Sequence, residues 1–150
     1  LCQALGRGEV VSVDIRAGAG DHGDVARPQH PRVTYVTGSS TDPAVVQKVK
    51  DIVAGRPALV ILDSDHRKDH VLAEMRAYAP LVPAGGYLVI EDGIVNGNPV
   101  FPEFGPGPTE AIEEFFRESD DFRVDERRER LLLTQNPCGY LRRVSNGDES

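Results

Sequence analysis

Acidic side chains follow two apolar runs of the chain, at the points where each run ends. Asp63 comes directly after residues 59–62, and Glu91 and Asp92 follow residues 87–90. Both runs are short and bounded by turn residues, a pattern typical of buried parallel strands. Ligands bind at the carboxyl ends of such strands in α/β sheets. We therefore expect Asp63, Glu91 and Asp92 to converge at one edge of a sheet.

A group of carboxylates at one point favours a bound cation. Two carboxylates about 4 Å apart repel each other by about 4 kcal/mol at an effective dielectric constant near 20, so the group needs protons or a metal ion. Ligands that are all oxygen atoms favour Mg²⁺, Ca²⁺ or Mn²⁺ over Zn²⁺. The sequence thus predicts a divalent-metal site at Asp63, Glu91 and Asp92. The alternative is that these are solvated acids at strand ends that face apart.

Two further motifs match known signatures literally. Residues 18–23 fit G-x-G-x-x-G, but Pro28 and Pro31 interrupt the helix that a dinucleotide site requires, so we interpret the match as coincidental. Asp63-Ser64-Asp65 fits the D-x-D motif with which metal-dependent glycosyltransferases hold a nucleotide-sugar. The second acidic pair supplies a partner across the sheet that the D-x-D interpretation does not require.

Length and charge narrow the class of protein. The chain has 150 residues, which fits one domain with a hydrophobic core, and its formal net charge of −7 gives no basic footprint for nucleic acid. Arginines in residues 123–130 alternate with acids, a pattern that predicts a solvated face. Two cysteines are too few for a disulfide framework, and no apolar run is long enough to span a bilayer. We expect a cytoplasmic protein.

Strands and helices alternate along most of the chain, which predicts an α/β fold with a mostly parallel sheet. Strands are expected at 10–15, 33–36, 59–63 and 87–91, and helices at 43–54, 69–79 and 109–118, with Leu72, Met75, Ala79, Ile112, Phe115 and Phe116 in the core. Residues 131–134 and 140–144 predict a C-terminal antiparallel hairpin at the sheet edge. The glycine- and proline-rich residues 93–108 predict a loop, either a lid or substrate loop or a plain connection.

Several of these segments form a combined pattern: residues 62–66, 70–74, 85–92, 105–108 and 136–143. With a strand that ends in Asp14, this combination resembles the class I S-adenosylmethionine-dependent methyltransferases. It is most similar to the cephalosporin hydroxylase and rhamnosyl O-methyltransferase family, over residues 10–144. The resemblance implies a Rossmann-like class I methyltransferase sheet. It also implies an O-methyltransferase that acts on a hydroxyl of a sugar or natural-product scaffold, such as an antibiotic or a glycolipid.

The resemblance implies roles for individual residues. Asp14 would hold the ribose hydroxyls of S-adenosylmethionine, because a carboxylate at a strand end can accept both hydrogen bonds. Gly38, Ser39 and Ser40 would meet the adenine, where glycine permits close approach and the hydroxyls supply polar contacts. The three carboxylates named above would bind Mg²⁺. In this family the first strand and its glycine-rich loop hold the methionine part of the cofactor, and both would lie upstream of Leu1.

The expected domain organisation follows from that missing first strand. We interpret residues 1–144 as the C-terminal part of a methyltransferase-like catalytic domain and residues 145–150 as a polar tail. Without the loop after the first strand, residues 1–150 should bind S-adenosylmethionine only weakly. A sheet without its central strand also leaves backbone groups unpaired, which favours self-association, with a homo-oligomer as one outcome.

His66 is the candidate catalytic residue of this enzyme. It lies three residues after Asp63, where an imidazole could reach a hydroxyl bound at the metal site. A general base typically accelerates a reaction about 10²–10⁴-fold, and histidine suits this role near neutral pH. A helix-capping or surface histidine is the alternative. His70, one helical turn later, could pair with His66 to bind zinc, although the neighbouring carboxylates favour a harder ion.

The expected function is therefore a Mg²⁺- and S-adenosylmethionine-dependent O-methyltransferase, with a small-molecule or glycoside hydroxyl as acceptor and no nucleic-acid partner. A D-x-D glycosyltransferase would instead bind a nucleotide-sugar with Mn²⁺. A hydroxylase, as in the family name, would need an oxidant, and the sequence shows neither a flavin motif nor a two-histidine-one-carboxylate iron site. A non-catalytic interaction domain on a truncated methyltransferase fold is the remaining alternative.

Overall fold

The structure is a computed structural model and describes residues 6–16, 27–129 and 134–144. The chain divides into two compact units, Leu1–Ala54 and Gly55–Ser150. The match to G-x-G-x-x-G at residues 18–23 and the tail at residues 145–150 lie outside the described residues. The assignment of residues 1–144 to one catalytic domain stays a prediction.

A parallel pair of strands forms the sheet of the first unit. Strand β1 (Val10–Asp14) pairs with β2 (Val33–Thr37), and Asp14 lies opposite Thr37 at the carboxyl ends of the two strands. Both strands are rich in β-branched residues, which favour extended backbone. The two strands predicted for this part of the chain are confirmed.

Helix α1 (Pro43–Val53) follows β2 and begins as its sequence predicts. The side chain of Asp42 accepts a 2.7 Å hydrogen bond from the amide of Ala44, which satisfies one of the unpaired donors at the helix start. The missing N–H of Pro43 costs nothing in the first turn. The helix ends at Ala54, whose φ of 49° lies in the left-handed region and stops the helix.

The second unit is a four-stranded sheet with two α-helices. In chain order its elements are β3 (Val60–Leu62), α2 (Lys68–Tyr78), β4 (Tyr87–Ile90), α3 (Pro108–Glu118), β5 (Phe122–Val124) and β6 (Tyr140–Arg143), with 3₁₀ helices at Ala79–Leu81 and Glu126–Glu129. The strand order is β3-β4-β6-β5; β3 and β4 are parallel, whereas β6 is antiparallel to both β4 and β5. Within the part of the chain that the structure describes, no helix is long and apolar enough to cross a membrane.

The C-terminal strands differ from the predicted hairpin. Strand β6 lies between β4 and β5 rather than at the edge, and β5 extends into residues 123–130, which the charge pattern predicts to be a solvated face. Phe122 gives the reason: it is 1% exposed and its ring centroid lies 5.9 Å from that of Phe115. Burial of this ring holds the segment on the sheet while Arg123 remains exposed. Residues 131–133, the predicted partner of β6, lie outside the described residues.

The core of the second unit lies between its helices and the sheet. Met75 of α2 and Leu88 of β4 have no exposed surface, and Ile112 of α3 is 3% exposed. Burying a side chain of this size stabilises the fold by roughly 1.5–3 kcal/mol. The predicted inner faces of α2 and α3 are confirmed at Met75, Ile112 and Phe115, whereas Phe116 is only half-buried.

Candidate metal centre

The carboxyl ends of β3 and β4 meet at one edge of the sheet. Leu62 lies opposite Ile90 in the parallel ladder, and the amide of Glu91 donates a 3.0 Å hydrogen bond to the carbonyl of Leu62. This bond continues the pairing one residue beyond the strands. Asp63 therefore leaves the sheet beside Glu91 and Asp92, as the sequence predicts.

Asp63, His66 and Asp92 form a close group. Each offers one ligand atom, and the three atoms lie within 4.8 Å of one another. Nε2 of His66 lies 3.3 Å from Oδ1 of Asp63 and 3.4 Å from Oδ2 of Asp92. This nitrogen is buried and has no hydrogen-bond partner among the described residues. A buried polar atom without a hydrogen-bond partner, next to two carboxylates, makes this position a candidate binding site.

Glu91 lies beside this group. It is not among the three residues whose ligand atoms come together. Partial burial, and then the charges of Asp63 and Asp92, raise the pKa of the Glu91 carboxyl, while His66 opposes the shift. The three predicted acids thus share one electrostatic environment. The close group nevertheless contains His66, and Glu91 as a metal ligand stays a prediction.

The donors of this group fit a hard divalent cation. Two carboxylates are the usual protein contribution to a Mg²⁺ site, where water or substrate oxygens complete the octahedron. The side chain of Asp63 is 58% exposed and that of Asp92 is 34% exposed, so such oxygens can reach the site. An imidazole nitrogen beside the carboxylates is also compatible with Mn²⁺.

A strained turn aims Asp92 at the group. Its φ is 54°, in the left-handed region that non-glycine residues seldom adopt, and such residues concentrate at functional sites. The amide of Asp92 donates a 3.0 Å hydrogen bond to Oδ1 of Asn136, which holds the turn. Asn136 lies in one of the segments that carry the family resemblance, but the sequence offered no signal for this contact.

Gly139 brings the segment that contains Asn136 against β4. Its carbonyl accepts a 2.8 Å hydrogen bond from the amide of Ile90. A Cβ atom at Gly139 would lie 2.2 Å from the carbonyl oxygen of Ile90, closer than any real contact. The approach of these two backbones therefore requires glycine.

Asp65 and His70 pair with other residues. Oδ1 of Asp65 accepts a 3.1 Å hydrogen bond from the amide of Arg67, and Oδ2 lies 3.5 Å from the guanidinium of the same residue. Nε2 of His70 lies 3.6 Å from Oε1 of Glu74. Neither residue belongs to the close group, which counts against a D-x-D metal pair and against a zinc site of His66 with His70.

The loop between β4 and α3 is attached to the start of α2. Lys68 lies two residues after His66 in the chain, and its amide donates a 3.0 Å hydrogen bond to the carbonyl of Pro106. Phe101 and Phe104 of this loop are 69% and 44% exposed. The loop contains no regular element, as predicted. Its two alternatives, a substrate loop and a plain connection, stay predictions.

In the first unit, the predicted ribose-binding residue lies at the carboxyl ends of β1 and β2. The amide of Gly38 donates a 2.9 Å hydrogen bond to the carbonyl of Asp14. The side chain of Asp14 accepts a 2.9 Å hydrogen bond from the amide of Arg16 and pairs with Arg27 at 2.9 Å. These partners, the Arg16 amide first, hold the pKa of Asp14 below its usual value. A charged carboxylate that is 38% exposed fits the ribose hydroxyls as an acceptor.

The turn after β2 carries the other predicted cofactor residues. Gly38 has a φ of 143°, and a Cβ atom there would lie 2.5 Å from Cγ2 of Val45, so the turn requires glycine. Oγ of Ser39 lies 3.0 Å from Oγ1 of Thr41, at hydrogen-bonding distance, and Ser40 lies between them in the chain. Contact of this turn with an adenine ring stays a prediction.

Comparison with known proteins identifies relatives of known name. The family model for rhamnosyl O-methyltransferase/CmcI matches residues 1–144. Rhamnosyl O-methyltransferase of Mycobacterium tuberculosis is 46% identical over 117 residues, which are 75% of this chain and 48% of that protein. The protein of the same name from Mycobacterium leprae is 41% identical over 138 residues, 89% of this chain and 58% of that protein. The chain spans about half the length of these curated relatives.

A solved structure shares the fold. The MycE methyltransferase from the mycinamycin biosynthetic pathway, in complex with Mg, SAH and mycinamycin VI, has a TM-score of 0.57 and 17% sequence identity. The match covers 95% of this chain and 46% of that chain. The chain therefore has the α/β class I methyltransferase fold. With the family model matched over nearly its whole length, the chain belongs to the rhamnosyl O-methyltransferase/CmcI family.

Proposed function

We propose that this chain is part of an O-methyltransferase that transfers the methyl group of S-adenosylmethionine to a hydroxyl of a sugar, with a divalent cation at the metal centre. The observation that carries the proposal is the convergence of Asp63, His66 and Asp92 where two parallel strands end. The names of the relatives support a rhamnosyl acceptor. The fold shared with a methyltransferase solved with Mg and SAH supports the two cofactors.

The proposed roles divide between binding and proton transfer. When bound, S-adenosylmethionine supplies the methyl group and Mg²⁺ lowers the pKa of the acceptor hydroxyl. Asp63 and Asp92, with Glu91 beside them, hold the ion. Asp14 accepts hydrogen bonds from the ribose, and the turn at residues 38–40 contacts the adenine. These side chains position the reactants, and positioning alone can lower a barrier by about 7–11 kcal/mol.

His66 takes the proton of the acceptor hydroxyl at Nε2. That atom lies between Oδ1 of Asp63 and Oδ2 of Asp92, beside the position where the ion and the acceptor hydroxyl would bind. The same position would let Nε2 act as a third metal ligand. The two roles differ in what the removal of the imidazole changes: a base affects the chemical step, whereas a ligand affects the affinity for the ion.

The substitution His66→Gln in the full-length protein separates these roles. We expect kcat for methylation of a rhamnoside to fall about 100-fold or more, with the Kd for Mg²⁺ within a few-fold of wild type, because the loss falls on proton transfer. His30→Gln, which changes a histidine outside the metal centre, is the control. A loss of kcat below a few-fold would show that His66 is not the base. A loss of Mg²⁺ affinity as large as the loss of kcat would show that His66 is a metal ligand.

Ligand binding separates the proposal from its rivals. S-adenosylhomocysteine should raise the unfolding temperature of the full-length protein, and a UDP-sugar should not. A shift with the UDP-sugar alone would favour a D-x-D glycosyltransferase, although the pairing of Asp65 with Arg67 argues against that function. A protein that responds to neither ligand would be a non-catalytic interaction domain.

A further inference from the structure

A buried acid on α2 has no role in the mechanism described so far. Glu74 is 2% exposed, and its neighbours on the inner face of the helix, Val71, Leu72 and Met75, are all apolar and buried. A carboxylate in such surroundings destabilises a fold unless partners replace its water. An apolar side chain of the same size would pack without that penalty. Packing alone therefore does not explain why an acid occupies this position.

Only one oxygen of Glu74 is paired within the described part of the chain. Oε1 accepts a 2.8 Å hydrogen bond from Oγ of Ser64 and lies 3.6 Å from Nε2 of His70. Oε2 is buried and has no hydrogen-bond partner among the residues that the structure describes. Burial, and then the charge of Glu74, raise the pKa of Tyr78 to about 12, so this neighbouring phenol stays neutral. The carboxylate of Glu74 thus accepts its hydrogen bond from Ser64, while its Oε2 atom has no partner among the described residues.

Ser64 lies in the loop that carries the metal centre. It follows Asp63 directly and precedes His66 by two residues. The side chain of Asp63 is 58% exposed, so packing does not fix its direction. Strand β3 holds the backbone on one side of Asp63, and the bond from Ser64 to Glu74 holds it on the other. The second of these attachments ties the loop to the rigid helix α2.

We propose that Glu74 is a positioning residue of the metal centre, which through Ser64 holds the loop at residues 63–66 in the conformation that binds the cation. This inference rests on the proposed metal site and deepens it. A loop that is already ordered loses less conformational freedom on binding, so the ion binds more tightly. Residues that orient metal ligands in this way typically change metal affinity by about 10–100-fold when they are removed.

Calorimetric titration of the full-length protein with Mg²⁺, together with thermal unfolding in EDTA, tests the proposal. Glu74→Met replaces the carboxylate with an apolar side chain of similar length. We expect its unfolding temperature to equal or exceed that of wild type while its Kd for Mg²⁺ rises about 10-fold. Glu74→Gln is the matched control: its amide oxygen can still accept the bond from Ser64, and its Kd should stay within about 3-fold of wild type.

Ser64→Ala tests the connection itself. It should raise the Kd for Mg²⁺ by about the same factor as Glu74→Met. The double variant should bind Mg²⁺ no more weakly than either single variant, because both changes break the same hydrogen bond. Wild-type Kd in both single variants would overturn the positioning role and leave the metal site intact. A Kd that rises only in variants with a lowered unfolding temperature would make Glu74 merely structural. Absence of Mg²⁺ binding by the wild type would overturn both proposals.

Discussion

The substitution Asp63→Asn should have opposite effects on stability with and without metal. The ligand atoms of Asp63 and Asp92 lie within 4.8 Å of each other. Two like charges at about this distance repel by ~3.5 kcal/mol at an effective dielectric constant of 20 and by ~0.9 kcal/mol in water. Because both side chains are at least a third exposed, the lower value applies. In EDTA the variant should therefore be more stable than wild type by up to about 1 kcal/mol.

Addition of Mg²⁺ should reverse this order. An ion at about 100 times its Kd stabilises the folded state by about 2.7 kcal/mol. For a domain of this size that free energy corresponds to an increase of roughly 5–10 °C in the unfolding temperature. Asp63→Asn loses a charged ligand, so at the same concentration of Mg²⁺ its unfolding temperature should rise by less than about 2 °C.

Thermal unfolding in EDTA and in a series of Mg²⁺ concentrations measures both effects. The matched control is Asp65→Asn, which removes an exposed carboxylate two residues away that pairs with Arg67 rather than with the metal centre. This variant should keep the full shift with Mg²⁺. Equal Mg²⁺ shifts in wild type and Asp63→Asn would refute the metal centre. Loss of the shift in Asp65→Asn would restore the D-x-D pair as the metal site.

Two further substitutions test the segment that supports the turn at Asp92. Gly139→Ala should destabilise the fold by about 3 kcal/mol in urea unfolding, since its Cβ atom would lie 2.2 Å from the carbonyl oxygen of Ile90. Gly105→Ala is the control, because φ is 88° there but no atom lies within 4 Å of the added carbon. It should cost only about 1 kcal/mol, and an equal cost in the two variants would contradict the steric argument. Asn136→Ala removes the acceptor of the Asp92 amide and should raise the Kd for Mg²⁺ several-fold by calorimetry, whereas an unchanged Kd would show that the turn holds without it.

The residues that come together at the candidate metal centre could be predicted only in part. The ends of two apolar runs correctly placed Asp63 and Asp92 at one edge of the sheet, because strand periodicity and parallel pairing are local signals. The three residues in close contact include His66 and not Glu91. Which of two successive acids turns toward the group depends on the left-handed turn at Asp92, and that turn is held by a residue distant in the chain.

The sequence by itself determined the order of strands and helices from β1 to α3, because caps, breakers and apolar periodicity act over a few residues. The start of α1 at Asp42 and Pro43 is one example. The tertiary structure alone decided that Phe122 brings β5 onto the sheet and that Glu74 is buried beneath the loop at Ser64. These outcomes depend on partners that meet only after the chain has folded. Helical spacing places Glu74 on the same face as Val71 and Tyr78, but no spacing along the sequence encodes the hydrogen bond that it accepts from Ser64.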